Sequence, residues 1–459
     1  MEEFFSEDRF SNLNKAVEEF KAGVIQTSKF NYYELYKKME PAFAAENFRA
    51  PIRRGVDNIL ILRLDAVGDF VLTSAAIREL RANYPAAFIT LVVRDLIYPL
   101  AEFCPYVNEI LTFNFSEDIL ENFERSVDFA RENLWKKHYN IAFSFRYWTD
   151  IKEMTLLYLS GAKERIGYFR GANGTYYRNI SPDDTKKTVG YFLLTHQVIQ
   201  PKKIINDVAR SLFVLHSYGL KIRRTNCELW YSAEDVYKAE NFLKDFAPGR
   251  MKIAVGLGGG HPARHYPVEK YLEAYKQIID KGAALIIFGG PSETEDAKFL
   301  QDNLPAEFVK NITTLKLNWR ETAALISLTE LYIGNDTGTA HCAAAAKIPT
   351  ITLSPEAKDR ELFFERGLSQ FAQYHPWQNL AIVLRPEHPL EHCKEVLIYS
   401  GCAEYKPHCI TQINPAEIVK AFEEMAYFMK FSKIRKTGAP PVLTDDKSVE
   451  ELFFKLDFN

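Results

Sequence analysis

Three segments of the sequence set acidic, hydroxyl or basic side chains on glycine-containing turns, where open α/β sheets hold ligands. The first, Asp65-Ala66-Val67-Gly68-Asp69, follows an apolar run and opens a helical stretch. Gly68 frees the backbone there, and the Asp69 carboxylate can either cap the helix or face a crevice. The second segment is Gly256 to Gly260 followed by HPARHYP. Glycines such as Gly258 and Gly259 let backbone N–H groups approach a phosphate, and Arg264 and His265 could add charge and hydrogen bonds. A flexible loop with surface charge is the plainer alternative. The third and strongest is Gly334-Asn335-Asp336-Thr337-Gly338, ahead of an alanine-rich helix that carries His341. A helix N-terminus offers free N–H groups and a positive dipole end to a diphosphate. Thr337 adds a hydroxyl, and Gly338 removes a side chain that would obstruct close approach. Asp336 suits a sugar hydroxyl or a structural N–H better than an anion. His341 is either a ligand contact or a satisfied packing residue, the commoner fate of a lone histidine.

A fourth group lies near the end: Cys393-x8-Cys402-x6-Cys409, with His388, His392 and His408 close by. Three thiolates completed by a histidine would make a tetrahedral structural metal site, and reduced, packed cysteines are the alternative. Six cysteines in 459 residues are too few for a disulfide scaffold.

Strands must end at these turns and helices must open from them. NILILRL at 58–64 is a continuous apolar run of strand length, followed by the helical FVLTSAAIRELRANY and a second buried-strand run, AFITLVV. VNEILTF and YNIAFSF continue the alternation, which restarts after a helix at 233–246 with KIAVGLGGG, ALIIFGG, LYIGNDTG and TITLS. Repeated strand–helix–strand units build parallel sheets through right-handed crossovers. The fold class expected is therefore α/β, with two Rossmann-like parallel-sheet domains at 51–230 and 231–430. A helical extension at 1–50 precedes them, and a tail follows at 431–459. A chain this long exceeds one ordinary core.

Composition narrows the functions. Hydrophobic residues make up 47% and charged residues 25%, an ordinary globular balance. With 57 Lys and Arg against 60 Asp and Glu the net charge is −3, so no global basic field points to nucleic acid. There is no G-x-G-x-x-G after the first strand and no G-x-x-x-x-G-K-[ST], which excludes a dinucleotide fingerprint and a P-loop. The acidic N-terminus is unlike a secretory signal, and no run of 18 apolar residues occurs. The expectation is a soluble, cytoplasmic protein with at most peripheral contact with the inner membrane.

RLDAVGDFVLTSAAIRELRANYP and YIGNDTGTAHCAAAAKIPTITL together resemble glycosyltransferase family nine, the ADP-heptose:lipopolysaccharide heptosyltransferases, over roughly residues 56–425. The resemblance implies a GT-B fold, two Rossmann-like domains facing across a cleft. It also implies inverting transfer from a nucleotide-sugar, ADP-heptose in that family, without a catalytic metal. Asp69 matches the family's general base, and a base must stand on the acceptor-domain side, as the first-strand position does. Arg264 in ARHYP matches a basic residue usually lysine, with Tyr266 where tryptophan is usual. Glu293 in FGGPSETE matches an acid expected near the donor ribose or base, while Asp336, Thr337, Gly338 and His341 match the late motif. Arg146 in SFRYW and Arg165 in ERIGY match acceptor-domain basic positions, with surface salt bridges as the equal alternative. The late helix around 415–428 is expected to pack back toward the N-terminal domain.

The function implied is transfer of a sugar, heptose in the family, to a cell-envelope glycan or lipid. The partners implied are the nucleotide-sugar and an anionic glycan, lipid or protein acceptor. The extension and tail depart from ordinary members and leave the acceptor open. A subset of similar enzymes transfers heptose onto protein hydroxyls and carries an iron-binding cysteine motif, so protein O-heptosyl transfer is one alternative. A non-catalytic nucleotide-sugar-binding scaffold is the other, since fold does not fix function.

Overall fold

Continuous apolar runs become buried parallel strands here, as their length and flanking turns dictate. The computed structural model describes residues 55–147, 151–168, 193–198, 204, 206–359, 369–393 and 406–431. The expected extension at 1–50 and Cys402 lie outside the described residues, as does the tail beyond Phe431. Strands β1 (Asn58–Arg63), β2 (Phe88–Val93), β3 (Glu109–Thr112), β4 (Ile141–Ser144), β5 (Glu164–Tyr168) and β6 (His196–Val198) form one sheet in the order β3-β2-β1-β4-β5-β6. Strands β7 (Met251–Gly256), β8 (Ala283–Phe288), β9 (Val309–Asn311), β10 (Leu331–Asn335), β11 (Thr350–Leu353) and β12 (Ala381–Leu384) form a second in the order β12-β11-β10-β7-β8-β9. Every strand pairing is parallel.

Each sheet runs outward from its first strand and then reverses, so each has one switch point, between β1 and β4 and between β7 and β10. Ligands of doubly wound sheets bind at the carboxyl ends of the strands beside that point. Topology alone thus selects four chain segments: those after Arg63, Ser144, Gly256 and Asn335.

The main described helices are α1 (Val67–Asn83), α2 (Ile119–Phe129), α3 (Ile151–Leu159), α4 (Asp207–Ser217), α5 (Ala233–Leu243), α6 (Val268–Asp280), α7 (Thr294–Asn303), α8 (Trp319–Ser327), α9 (Gly338–Ala345), α10 (Gln370–Tyr374) and α11 (Pro415–Phe431). α1 is buried on nearly every side, because it lies between its own sheet, α4 and α9 of the other sheet. Glycines permit that closeness. A Cβ on Gly68 would stand 2.7 Å from His341 Cδ2, and one on Gly338 would stand 3.4 Å from Val67 Cβ and 3.2 Å from Trp319 Cη2. The N-termini of α1 and α9 therefore abut at the floor between the sheets.

The connection at 220–230 is clamped along α1. Arg78 donates to the carbonyls of Arg224 and Asn226 and pairs with Glu228, and Glu79 accepts from Arg223 N and Arg224 N. The expected return of the late helix is corrected by its packing. Ile418, Val419, Ala421, Phe422 and Met425 of α11 bury in the core of the second sheet, where the helix lies on α6, β11 and β12. Its apolar stripe at i, i+3, i+4 and i+7 is satisfied there. Among the described residues, the segment at 369–378 crosses back instead: Trp377 Nε1 donates to Thr225 O at 2.8 Å, and Asn206 Nδ2 to His375 O at 3.2 Å.

Candidate active site

The first wall begins with a charge at the end of an apolar strand. Arg63 closes β1 on the face shared by Ile59 and Ile61, so its guanidinium is delivered under α1 and α4 and is only 1% exposed. A buried cation requires partners. Arg63 Nε lies 3.1 Å from Asp65 Oδ1, and Nη2 lies 2.8 Å from Asp207 Oδ2 and 3.7 Å from Asp69 Oδ1. Arg146, just after β4, approaches Asp65 Oδ2 to 4.0 Å through Nε. Ser144 Oγ donates to buried Glu153 at the start of α3. Arg63, Asp65, Asp69, Arg146, Tyr147, Asp207 and Tyr374 line a cavity of about 290 Å³ at this switch point.

The cluster sets four carboxylates against two guanidiniums, which raises proton affinity. Burial, reinforced by the charge of Asp65 and only partly offset by Arg63, pushes the Asp69 carboxyl up to about 8. Burial likewise raises Asp65, against the pull of Arg63. Glu153 rises to about 7 for the same reason, with Arg146 opposing. Burial disfavours the charged form of Arg63, but Asp65, Asp207 and Asp69 outweigh it and raise its pKa. Asp69 also serves its helix: its Oδ2 accepts from Ala66 N at 3.2 Å, while Oδ1 is the atom nearer Arg63.

The opposite wall is built on β7 and β10. Asn335, fully buried, donates to Leu257 O at 2.6 Å and accepts from Tyr271 OH at 2.8 Å, tying the two strand ends together across the switch point. Tyr332 OH donates to Asn335 O at 2.9 Å and meets Thr339 Oγ1 at 3.1 Å, which is itself 2.7 Å from Thr337 Oγ1. That hydroxyl passes where a Gly256 side chain would stand, only 1.9 Å from an added Cβ. Glu293, beyond β8, accepts from Gly290 N at 2.6 Å and would lie 3.3 Å from a Cβ on Gly258. His265 Nε2 is 2.8 Å from Gly259 O, and the Arg264 side chain begins beside the same glycine. His341 is buried, which lowers its pKa although Asp336 at 3.6 Å opposes the shift, so the ring is neutral near pH 7.

The anticipated residues thus fall into groups. Asp69 and Arg146 share the first cavity. Gly258, Gly259, Arg264 and Glu293 cluster after β7 and β8, and Asp336, Thr337, Gly338 and His341 follow β10. Gly338 and His341 also have a packing duty, against Val67 and Gly68 of α1. Arg165 is a correction. It sits near the amino end of β5, level with Ala142, away from the ligand edge. Its guanidinium donates to Leu193 O and Ala162 O at 2.8 Å each and lies 4.9 Å from the Tyr158 ring centroid, so it braces the fold. Arg63, Asp207, Glu153, Tyr147 and Tyr374 were not anticipated. For Arg63 a signal existed, a lone charge inside a buried strand; Asp207, 144 positions away, gave none. Among the cysteines, Cys393 Sγ is 3.6 Å from His408 Nε2, and Cys409 Sγ is 3.2 Å from His408 Nδ1. These three buried groups offer ligand atoms all within 4.8 Å of one another.

Two Rossmann-like sheets with their switch points on one cleft define a GT-B fold. The model of glycosyltransferase family 9 (heptosyltransferase) matches residues 182–382. Lipopolysaccharide heptosyltransferase 2 of Escherichia coli (strain K12) is 25% identical over 315 residues, covering 66% of this chain and 84% of its own. A family 9 glycosyltransferase from Veillonella parvula aligns with a TM-score of 0.64 at 19% identity, over 82% of this chain and 99% of that one. E. coli ADP-heptose lipopolysaccharide heptosyltransferase II aligns at 0.59 and 19% identity, over 81% and 99%. The chain is thus similar to the heptosyltransferases of glycosyltransferase family 9, and these relatives indicate a glycosyltransferase enzyme.

Proposed function

We propose that this enzyme transfers heptose, with inversion, from ADP-heptose to a hydroxyl of a lipopolysaccharide-type cell-envelope acceptor. The observation that carries the reading is the Asp69 carboxylate, exposed on the cavity at the β1 switch point and one residue from the contact between α1 and α9. The similarity to a lipopolysaccharide heptosyltransferase 2 and to an ADP-heptose lipopolysaccharide heptosyltransferase II supports the choice of donor and acceptor. Asp69 accepts the acceptor's proton as the hydroxyl attacks the anomeric carbon, and the C–O bond to the diphosphate breaks. The N-terminus of α9, with Thr337 and Gly338, meets the diphosphate with help from Arg264, because free N–H groups and a guanidinium stabilise the developing charge. Gly258 and Gly259 let the nucleotide lie close, Glu293 accepts from ribose hydroxyls, and Asp336 and His341 frame the sugar end. Arg146 orients the acceptor. Residues 51–230 form the acceptor side and 231–430 the donor side. The reaction takes place in the cytoplasm, at the inner-membrane surface. No helix among the described residues is long and apolar enough to cross a membrane.

Cys393, His408 and Cys409 fit a structural metal in their chemistry: two thiolates and an imidazole, buried and mutually close. The function is tested by incubating the protein with a lipopolysaccharide core and ADP-, GDP- or UDP-sugars, reading nucleotide release and the anomeric configuration of the product. ADP-heptose should be turned over with inversion. Retention of configuration, or preference for a uridine donor, would overturn the reading.

A further inference from the structure

The buried guanidinium of Arg63 faces three carboxylates. Asp65 takes its Nε edge at 3.1 Å. Arg63 Nη2 is 2.8 Å from Asp207 Oδ2 and 3.7 Å from Asp69 Oδ1. Only the first is a hydrogen-bond distance. Asp207 is held there because it is the first residue of α4, whose preceding Asn206 caps the helix by accepting from Val208 N at 3.0 Å. Neither Arg63 nor Asp207 can escape to water, being 1% and 4% exposed.

We propose that Asp207 is a positioning residue for the site: by capturing Arg63 Nη2 it withholds the guanidinium from Asp69 and so sets the proton affinity of that carboxylate. The inference deepens the proposed role of Asp69 as base and rests on it for its kinetic consequence alone. The groups that face Asp69 act in a consistent sense. Arg63 and Arg146 favour its ionised form, and Asp65 and Asp207 disfavour it, as burial does. Glu153 from α3 adds negative charge to the same cluster, and Tyr147 and Tyr374 complete the cavity. Across the floor, His341 is neutral near pH 7 and Asp336 lies beside it. Removing the negative charge at 207 leaves Arg63 to Asp65 and Asp69, and Asp69 should then ionise more easily.

The test is a 13C titration of the aspartate carboxyls, with the Asp69 signal assigned by its loss in Asp69→Asn. In Asp207→Asn the Asp69 midpoint should fall, and each unit of fall means about a tenfold larger ionised fraction well below it. Asp207→Ser removes the same charge with different packing and covers a failure of Asp207→Asn to fold. Asp207→Glu keeps the charge and should restore the wild-type midpoint. Kinetically, the acid limb of kcat/KM should move to lower pH by the same amount with donor KM unchanged. An Asp69 midpoint that stays or rises in both charge-removing variants overturns the proposal. A midpoint that falls while the pH profile stays fixed supports the coupling and instead overturns Asp69 as the base.

Discussion

Asp69 has two duties at once, which makes its substitution informative. One carboxylate oxygen accepts from Ala66 N and caps α1, while the side chain faces the cavity beside Arg63. Asn can keep the cap yet cannot accept a proton. Transfer in Asp69→Asn should therefore fall by about 10²–10⁴-fold with donor affinity preserved, whereas a pure capping role predicts preserved turnover. The wild-type profile should carry the signature of a carboxylate near 8: kcat/KM rises with pH and levels above that value, since only the ionised form is a base. Stability should run the opposite way. A carboxyl whose folded pKa is raised stabilises fully below its unfolded value near 4 and loses that contribution as pH climbs through about 8. Thermal melts of wild type against Asp69→Asn across pH 4–9 check this: the wild type should weaken relative to the variant toward alkaline pH.

The decisive elements are α1 and α9, whose N-termini meet because two glycines leave room. In Gly68→Ala the new Cβ would fall 2.7 Å from His341 Cδ2, and His341 is fixed in a buried helix. Overpacking of this kind costs about 1–3 kcal/mol. Melting of Gly68→Ala, His341→Ala and the double variant should show strong coupling, with the double variant more stable than additivity allows. Additive losses would mean that the two helices do not press on each other here. Asn335 ties β10 to the turn after β7, so Asn335→Ala should cost about 1–3 kcal/mol for each buried partner left unsatisfied, Tyr271 OH and Leu257 O. Denaturant midpoints at constant m-value measure it.

At the scale of the whole molecule, the two sheets are joined by the clamped strap at 220–230, by the return segment at 369–378 and by the α1–α9 contact. Arg264 stands beside Gly259 in the turn after β7, so Arg264→Ala should weaken nucleotide binding by about 1.5–3 kcal/mol, the size of a charge-assisted contact, and leave the melting temperature near wild type. Calorimetric titration with ADP reads this, and unchanged affinity would put the diphosphate elsewhere. The cysteine–histidine group near the end of the described chain makes a separate prediction. If it holds a metal, the purified protein contains about one ion per chain by elemental analysis, and a strong chelator lowers the melting temperature without changing donor affinity.

How much of this was legible before folding follows from where each residue's partners lie. The strand runs and the turns at 65–69 and 334–338 could be read directly, because a buried parallel strand must be apolar throughout and a ligand turn must open a helix. The doubling of that alternation carried the two-sheet architecture. Arg165 could not be read correctly, because a motif match does not say which backbone carbonyls will surround a guanidinium, and these came from 162 and 193. The late helix was misplaced for a similar reason: its stripe could satisfy either sheet, and packing chose the nearer one. Asp207 and Arg63 are 144 residues apart, and a bond between them exists only after α4 has docked against α1 and β5. Residue types along the chain determined which chemistry was available. The tertiary structure alone decided which charges share one buried guanidinium, because electrostatic coupling depends on distance in space and on excluded water, neither of which a linear sequence contains.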